Sequence, residues 1–149
     1  MNEQKFHLGV KALIVNNAGE ILILRANPKL LAGGKESYWD LPGGRIKQGS
    51  SVNDTLEREV EEELGNGTKI QTVRQFDACV SNHKIPADGE TYGLVLFTFL
   101  CKLGKSGKIL LSDEHTEYKW SVVSEAAKLL SNKFPHTFIE KLKTLGRAQ

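Results

Sequence analysis

The segment from Gly44 to Asn66 constrains the fold of this chain more than any other, because it predicts a glycine-containing loop followed by a strongly acidic helix. A serine at position 50 or 51 can cap the helix, and Gly65 is a natural stop. At about 100° per residue, the apolar side chains of this helix gather on one stripe. They are Val52, Leu56, Val60 and Leu64. The stripe must therefore pack against a hydrophobic core.

The carboxylates of the same helix fall into two groups. Glu57 and Glu61 lie opposite the stripe and are expected to face solvent. Glu63 falls among the apolar positions, with Glu59 on their edge and Glu62 close by. Two carboxylates about 4 Å apart repel by roughly 4 kcal/mol at an effective dielectric constant near 20, and burial adds a desolvation cost. A compensating cation is therefore expected, and oxygen ligands favour Mg²⁺ or Mn²⁺.

The spacing of these residues resembles the Nudix box, Gly-x5-Glu-x7-Arg-Glu-apolar-x-Glu-Glu-x-Gly-apolar. Here the pattern begins at Gly44 and ends in Arg58-Glu59-Val60-Glu61-Glu62-Glu63-Leu64-Gly65. The chain departs from it at two positions: Ser50 stands where the family has Glu, and Asn66 stands where it has an aliphatic residue. The missing carboxylate at position 50 predicts an enzyme that is slow or suited to an unusual substrate.

The resemblance implies a metal site and a reaction. Glu59, Glu62 and Glu63 would bind Mg²⁺, or alternatively Mn²⁺, with help from a carbonyl of Gly43 or Gly44. The substrate class it implies is a nucleoside diphosphate linked to another group, with a nucleoside triphosphate or a nucleotide-sugar preferred. Water would attack phosphorus and cleave the phosphoanhydride.

The general base is left open between the helix and a later segment. Glu59 is the candidate on the helix, and Glu114, His115 and Glu117 are the candidates downstream. A glutamate beside a metal is ionised at neutral pH, and histidine has a near-neutral intrinsic pKa. The resemblance implies that Arg58 orients a glutamate by ion pairing. The candidate catalytic residues are Arg58, Glu59, Glu62, Glu63, His115 and Glu117.

Three further residues are candidates for substrate binding. Arg25 and Arg45 carry charges that can meet phosphate, and Trp39 can stack on a base. Core packing is an equally good interpretation of Trp39.

The pattern of apolar residues predicts an α+β fold. Leu8–Ile14 and Ile21–Leu24 are expected to be paired strands of a hairpin, and the apolar run Leu94–Cys101 a central strand. Other strands are expected at Lys69–Val80 and Tyr118–Val122, followed by two C-terminal helices. This order agrees with the Nudix-type α/β/α sandwich, a mixed β-sheet with helices on both faces.

Composition limits the class of partner. The 149 residues suit one domain, expected to be a single Nudix hydrolase domain over residues 1–149. The net charge of +2 is too small to indicate a nucleic-acid surface. The sequence lacks an apolar run typical of a signal peptide or membrane span, which predicts a cytoplasmic protein with no membrane partner. The expected partner is a small nucleotide, and the expected state is a monomer or homodimer.

A second interpretation is a Nudix-like domain that binds a nucleotide as a sensor or regulator and hardly cleaves it. Ser50 motivates this alternative, because it removes one carboxylate of the box. The intact Arg58 and the glutamates at positions 59, 62 and 63 favour the enzyme.

Overall fold

The computed structural model describes residues 3–31, 36–104 and 108–147. Residues 32–35 of the loop predicted between the second strand and Trp39 lie outside these ranges. The elements in chain order are β1 (Phe6–Ile14), β2 (Ile21–Ala26), a short 3-10 helix (Pro28–Leu30), β3 (Trp39–Asp40), β4 (Gly43–Arg45), α1 (Val52–Leu64), β5 (Ile70–Val80), β6 (Ile85–Ala87), β7 (Glu90–Leu103), β8 (His115–Ser121), α2 (Val123–Leu130) and α3 (His136–Arg147).

The described strands form two sheets. The larger has the order β4-β1-β7-β5, with β6 also paired to β7, and the smaller has the order β3-β2-β8. β1 and β7 run parallel, and the other ladders are antiparallel. β7 therefore lies between β1 and β5, which confirms the predicted central strand.

The predicted hairpin between the first two strands is wrong. In the described structure the two strands form no ladder with each other, and an isolated bridge joins Val15, just after β1, to Ile21. The side-chain oxygen of Asn16 accepts from the backbone N–H groups of Ala18 and Glu20 and shapes the turn. Both edges of β1 are already taken, by β4 and by β7, so β2 pairs instead with β3 and β8.

Alternation along β1 and β2 builds one core on each side of the sheets, because successive strand side chains point to opposite faces. One set packs with α2 and α3, and the other packs with α1. The first set is Leu13, Ile21 and Ile23. The second set is Val10, Ala12, Ile14, Leu22 and Leu24. The predicted α/β/α sandwich is confirmed, with its strands divided between two sheets.

The acidic helix α1 has the predicted limits. The Ser51 hydroxyl accepts from the backbone N–H of Asp54 at 3.0 Å, and the chain leaves the helix at Gly65 with φ of 119°. Leu56, Val60 and Leu64 are buried in the core. Val52, in the first turn, is 39% exposed and lies outside that core.

In the part of the chain that the structure describes, no helix has the length and apolar character needed to cross a membrane.

Candidate active site

Two glycines let β4 approach α1 closely. A Cβ atom added at Gly43 would lie 2.0 Å from the carbonyl oxygen of Val10. Because this oxygen belongs to the backbone and cannot move aside, only glycine fits at this position. A Cβ at Gly44 would lie 2.5 Å from the carboxylate carbon of Glu59. The glycine pair therefore sets the helix carboxylates directly against the strand backbone.

Glu63 is the buried carboxylate of the site, at 3% exposure. The backbone N–H of Gly43 donates to its Oε1 at 2.7 Å. Burial raises the pKa of Glu63 to about 8, against the opposing attraction of Lys11 and the Gly43 hydrogen bond. In the metal-free protein this side chain is therefore mostly protonated at neutral pH.

Glu59 and Glu62 flank Glu63 and share one arginine. Arg58 lies 3.5 Å from Glu59 Oε1 and 3.7 Å from Glu62 Oε1. The pKa of Glu59 is raised, first by burial and then by the negative charge of Glu62, although Arg58 opposes both. One arginine thus serves two carboxylates, and its single charge cannot neutralise both.

His115 brings β8 into the same group. Its Nδ1 lies 3.4 Å from Glu63 Oε2 but makes no hydrogen bond within the described residues. Burial lowers the pKa of His115 to about 4. At neutral pH the imidazole is therefore uncharged, and the contact is close packing of two neutral groups rather than an ion pair.

The donor set fits a hard divalent ion. Potential ligand atoms of Glu63, Glu114 and His115 lie within 4.8 Å of one another. The negative charge of Glu114 contributes to raising the pKa of Glu59, and that of Glu59 contributes to raising the pKa of Glu63. Several carboxylate oxygens beside one unpartnered imidazole nitrogen match the oxygen-rich ligands that Mg²⁺ and Mn²⁺ prefer.

Not all of the predicted site residues lie together. Glu117 pairs with Arg25 at 3.0 Å on the smaller sheet, where both side chains are about half exposed. Trp39 lies on that sheet too, with the Lys119 ammonium 5.3 Å from its ring centre. It is partly buried and packs against the core under α2 and α3. Arg45, by contrast, is the last residue of β4, the strand whose Gly44 lies against the Glu59 carboxylate of α1.

Sequence reasoning missed a buried charge cluster next to these carboxylates. The ammonium groups of Lys11 and Lys133 donate to the same oxygen of Asp40, Oδ2, at 3.0 and 2.7 Å. Burial opposes the charge on all three. The two lysines nevertheless hold the pKa of Asp40 well below its usual range, and Asp40 together with Glu63 raises the pKa of Lys11. For Lys133 burial prevails and lowers the pKa to about 8.

The signal for this cluster was weak. Lys11 interrupts the apolar run of β1, and a lysine at such a position is almost never fully buried unless it is paired. Its partners lie 29 and 122 positions away, so the sequence offers no local pattern that joins them.

A cavity of about 290 Å³ is lined by both lysines of the buried cluster and by the end of β4. One part of its wall is formed by Leu31, Tyr38, Ile85, Pro86, Leu94 and Leu96, and His83 and Lys84 also line it. Gly44 and Arg45 lie at the cavity surface, as do Lys11 and Lys133. The volume is close to the lower end of the roughly 300–1,000 Å³ range of small-molecule sites.

Comparisons with known proteins agree with this geometry. The model of the NUDIX domain matches residues 5–142. Nucleoside triphosphatase NudI from Escherichia fergusonii is 27% identical over 111 residues, 72% of this chain and 76% of that protein. The MutT protein from Methanosarcina mazei Go1 has a TM-score of 0.68 at 23% identity and covers 99% of this chain and 98% of its own. A UDP-X diphosphatase has a TM-score of 0.66 at 22% identity, and the match covers 99% of this chain and 66% of that protein.

These matches first define a class: the chain is a hydrolase with the fold of the MutT-type proteins. Because the domain model spans nearly all of its length, the chain belongs to the Nudix family. The resemblance found in the sequence is thereby confirmed.

Proposed function

We propose that the protein is a divalent-metal-dependent pyrophosphohydrolase that cleaves a nucleoside triphosphate to the nucleoside monophosphate and pyrophosphate. The observation that carries this proposal is Glu63, a buried carboxylate that lies near other acidic groups and has no lysine or arginine in contact among the described residues. The sequence relative named as a nucleoside triphosphatase supports the choice of a triphosphate over a nucleotide-sugar.

The proposed metal ligands are the carboxylates of Glu59, Glu62 and Glu63, with Glu114 from the segment before β8. When bound, Mg²⁺ polarises a phosphoryl oxygen and makes a coordinated water more acidic. The backbone of Gly44 lies against Glu59, so a phosphate over this glycine would meet the carboxylate helix. A carbonyl of Gly43 or Gly44 could complete the ligand set.

The remaining side chains orient the reaction. Arg58 holds both Glu59 and Glu62 and thereby limits their rotamers. Glu59 is the proposed general base, since burial raises its pKa and its carboxylate lies directly against the backbone of Gly44. His115 packs against Glu63 and fixes its position from the opposite side. Arg45, exposed at the cavity, would bind phosphate.

The test compares Glu63→Gln with Glu57→Gln on the same helix. Purified proteins are incubated with Mg²⁺ and a panel of nucleoside triphosphates and nucleotide-sugars in ¹⁸O water, and the products are identified by mass. We expect Glu63→Gln to lose at least about 100-fold in kcat, because a ligand of the metal is gone. Glu57 is exposed on the far side, so Glu57→Gln should match the wild type.

Two outcomes would contradict the proposal. One is undiminished turnover by the Glu63→Gln protein. The other is tight nucleotide binding by the wild type with no metal-dependent product from any member of the panel, which would favour the sensor interpretation.

A further inference from the structure

The buried pair of lysines, Lys11 and Lys133, has more hydrogen-bond donors than the surrounding protein uses. An ammonium group carries three donors. Lys133 gives one to Asp40, and Lys11 gives one to Asp40 and one to the carbonyl oxygen of Leu41 at 3.2 Å. Donor capacity is therefore left over at the end of the cavity, above all on Lys133.

The side-chain acceptors among the described residues that line the cavity are the Tyr38 hydroxyl and the His83 ring. Among the described residues that line the cavity, no side chain is a carboxylate or an amide. Asp40 is 4% exposed, and its second oxygen accepts from the backbone N–H of Leu41 at 2.7 Å. A group that brings acceptors would be satisfied here, whereas a group that brings N–H donors would face ammonium donors.

Lys133 is held in position by its backbone. Its carbonyl oxygen accepts from the Ser81 hydroxyl at 2.9 Å and from the Asn82 backbone N–H at 2.8 Å. The Asn82 side chain then donates to three neighbouring carbonyls, those of Ser131, Asn132 and Phe134. The Lys133 ammonium also lies 5.4 Å from the ring centre of Tyr38. Such anchoring is what a residue that discriminates between ligands requires.

The Lys133 ammonium is already paired with the buried Asp40 carboxylate at 2.7 Å. A neutral acceptor can take its remaining donors without bringing a second negative charge into a buried place. The apolar walls, including Ile85, Pro86 and Leu94, suit the faces of a flat ring.

We propose that Lys133 reads the carbonyl oxygen at ring position 4 of a pyrimidine or position 6 of a purine, so that the enzyme prefers bases with a keto group at that position to bases with an amino group there. This inference rests on the proposed hydrolysis of nucleoside triphosphates. The phosphates lie over Gly44 and Arg45, and the base lies along the apolar walls with its acceptor edge at Lys133. Lys11 supports Lys133 by sharing the charge of Asp40.

Two substrate pairs isolate this contact. UTP and CTP differ in having a keto or an amino group at ring position 4, and ITP and ATP differ in the same way at position 6. The wild type should show a kcat/KM ratio of at least about 10 in favour of UTP and of ITP. A hydrogen bond to a charged group is commonly worth about 10- to 100-fold.

The Lys133→Met variant should lower kcat/KM for UTP and ITP by about 10- to 100-fold and bring both ratios close to one. Lys133→Gln, which keeps a polar head group in the buried site, should also lose most of the ratio. Lys128→Met is the matched control, since Lys128 is exposed on α2 and does not line this cavity. It should keep both ratios. Thermal melting verifies that each variant is folded.

Binding separates this inference from the proposed hydrolysis. The same four nucleotides are titrated by calorimetry into the wild type and the Glu63→Gln protein, in which turnover is blocked. A wild type that binds keto nucleotides selectively but releases no product would refute the hydrolase and retain the role of Lys133. A wild type that prefers neither base class in binding or in turnover would overturn the inference. So would preference for UDP-glucuronate over UDP-glucose without any preference among bases, which would show that the lysines bind an anion.

Discussion

The carboxyl group of Glu63 should make the metal-free protein less stable as the pH rises from acid to neutral. Its pKa is about 8 in the folded protein and 4.5 in the unfolded chain, so the folded state holds an extra proton between these values. The stabilising contribution is fully present below pH 4.5 and is lost as the pH passes through about 8. At about 1.36 kcal/mol per pH unit, the whole difference is roughly 5 kcal/mol.

The perturbation that isolates this effect is Glu63→Gln, which keeps the shape of the side chain and removes the titration. Free energies of unfolding are measured by urea denaturation in EDTA at several pH values from 4.5 to 8.5. We expect the wild type to lose up to about 5 kcal/mol relative to the variant over this interval. His115, whose pKa of about 4 lies below its ordinary 6.5, acts in the opposite direction, and it is present in both proteins.

Metal should reverse the trend, because binding requires the ionised carboxylate. Stabilisation of the wild type by Mg²⁺ should therefore increase with pH up to about 8, with release of a proton that calorimetry in buffers of different ionisation enthalpy can detect. If the pH profiles of the wild type and Glu63→Gln are parallel in EDTA, Glu63 is not a protonated buried group and the reasoning is refuted.

Two further substitutions test the neighbouring contacts. Gly44→Ala places a Cβ against the carboxylate of Glu59 and should lower kcat at least about tenfold. The free energy of unfolding should change by less than about 1 kcal/mol, because the flexible Glu59 side chain can move. Wild-type turnover by this variant would show that the position of Glu59 is unimportant. Asp40→Asn leaves two buried lysines without their counter-ion and should cost about 3–5 kcal/mol in urea denaturation. The exposed Asp113→Asn control should cost less than about 0.5 kcal/mol, and equal costs would contradict the role given to Asp40.

The features that could be predicted from the sequence are those that a short segment determines. The periodicity of α1 predicts both the buried stripe and the inward position of Glu63, and Ser51 and Gly65 mark its ends. The pairing of β1 and β2 could not be predicted in this way. Adjacent strands commonly form hairpins, but here the edges of β1 are occupied by strands from elsewhere in the chain.

The buried charge cluster beside the carboxylates could be predicted from the sequence even less. Lys11, Asp40 and Lys133 come from β1, β3 and the turn before α3, and only the folded chain brings them together. Each looks like an ordinary surface residue when it is considered alone. His115 is an intermediate case: its place near the acidic group was anticipated, but its burial depends on β8 starting at that residue.

Lys11 connects the buried charge cluster to the carboxylate group of α1. It donates to Asp40, and its charge also acts on Glu63, so one ammonium serves both the cavity and the carboxylate group. Without metal, a protonated Glu63 leaves Lys11, Lys133 and Asp40 with one surplus positive charge in a buried place. An ionised Glu63 would attract Lys11 as well as a bound metal. The carboxylate group and the buried lysines are therefore coupled electrostatically through Lys11 and Glu63.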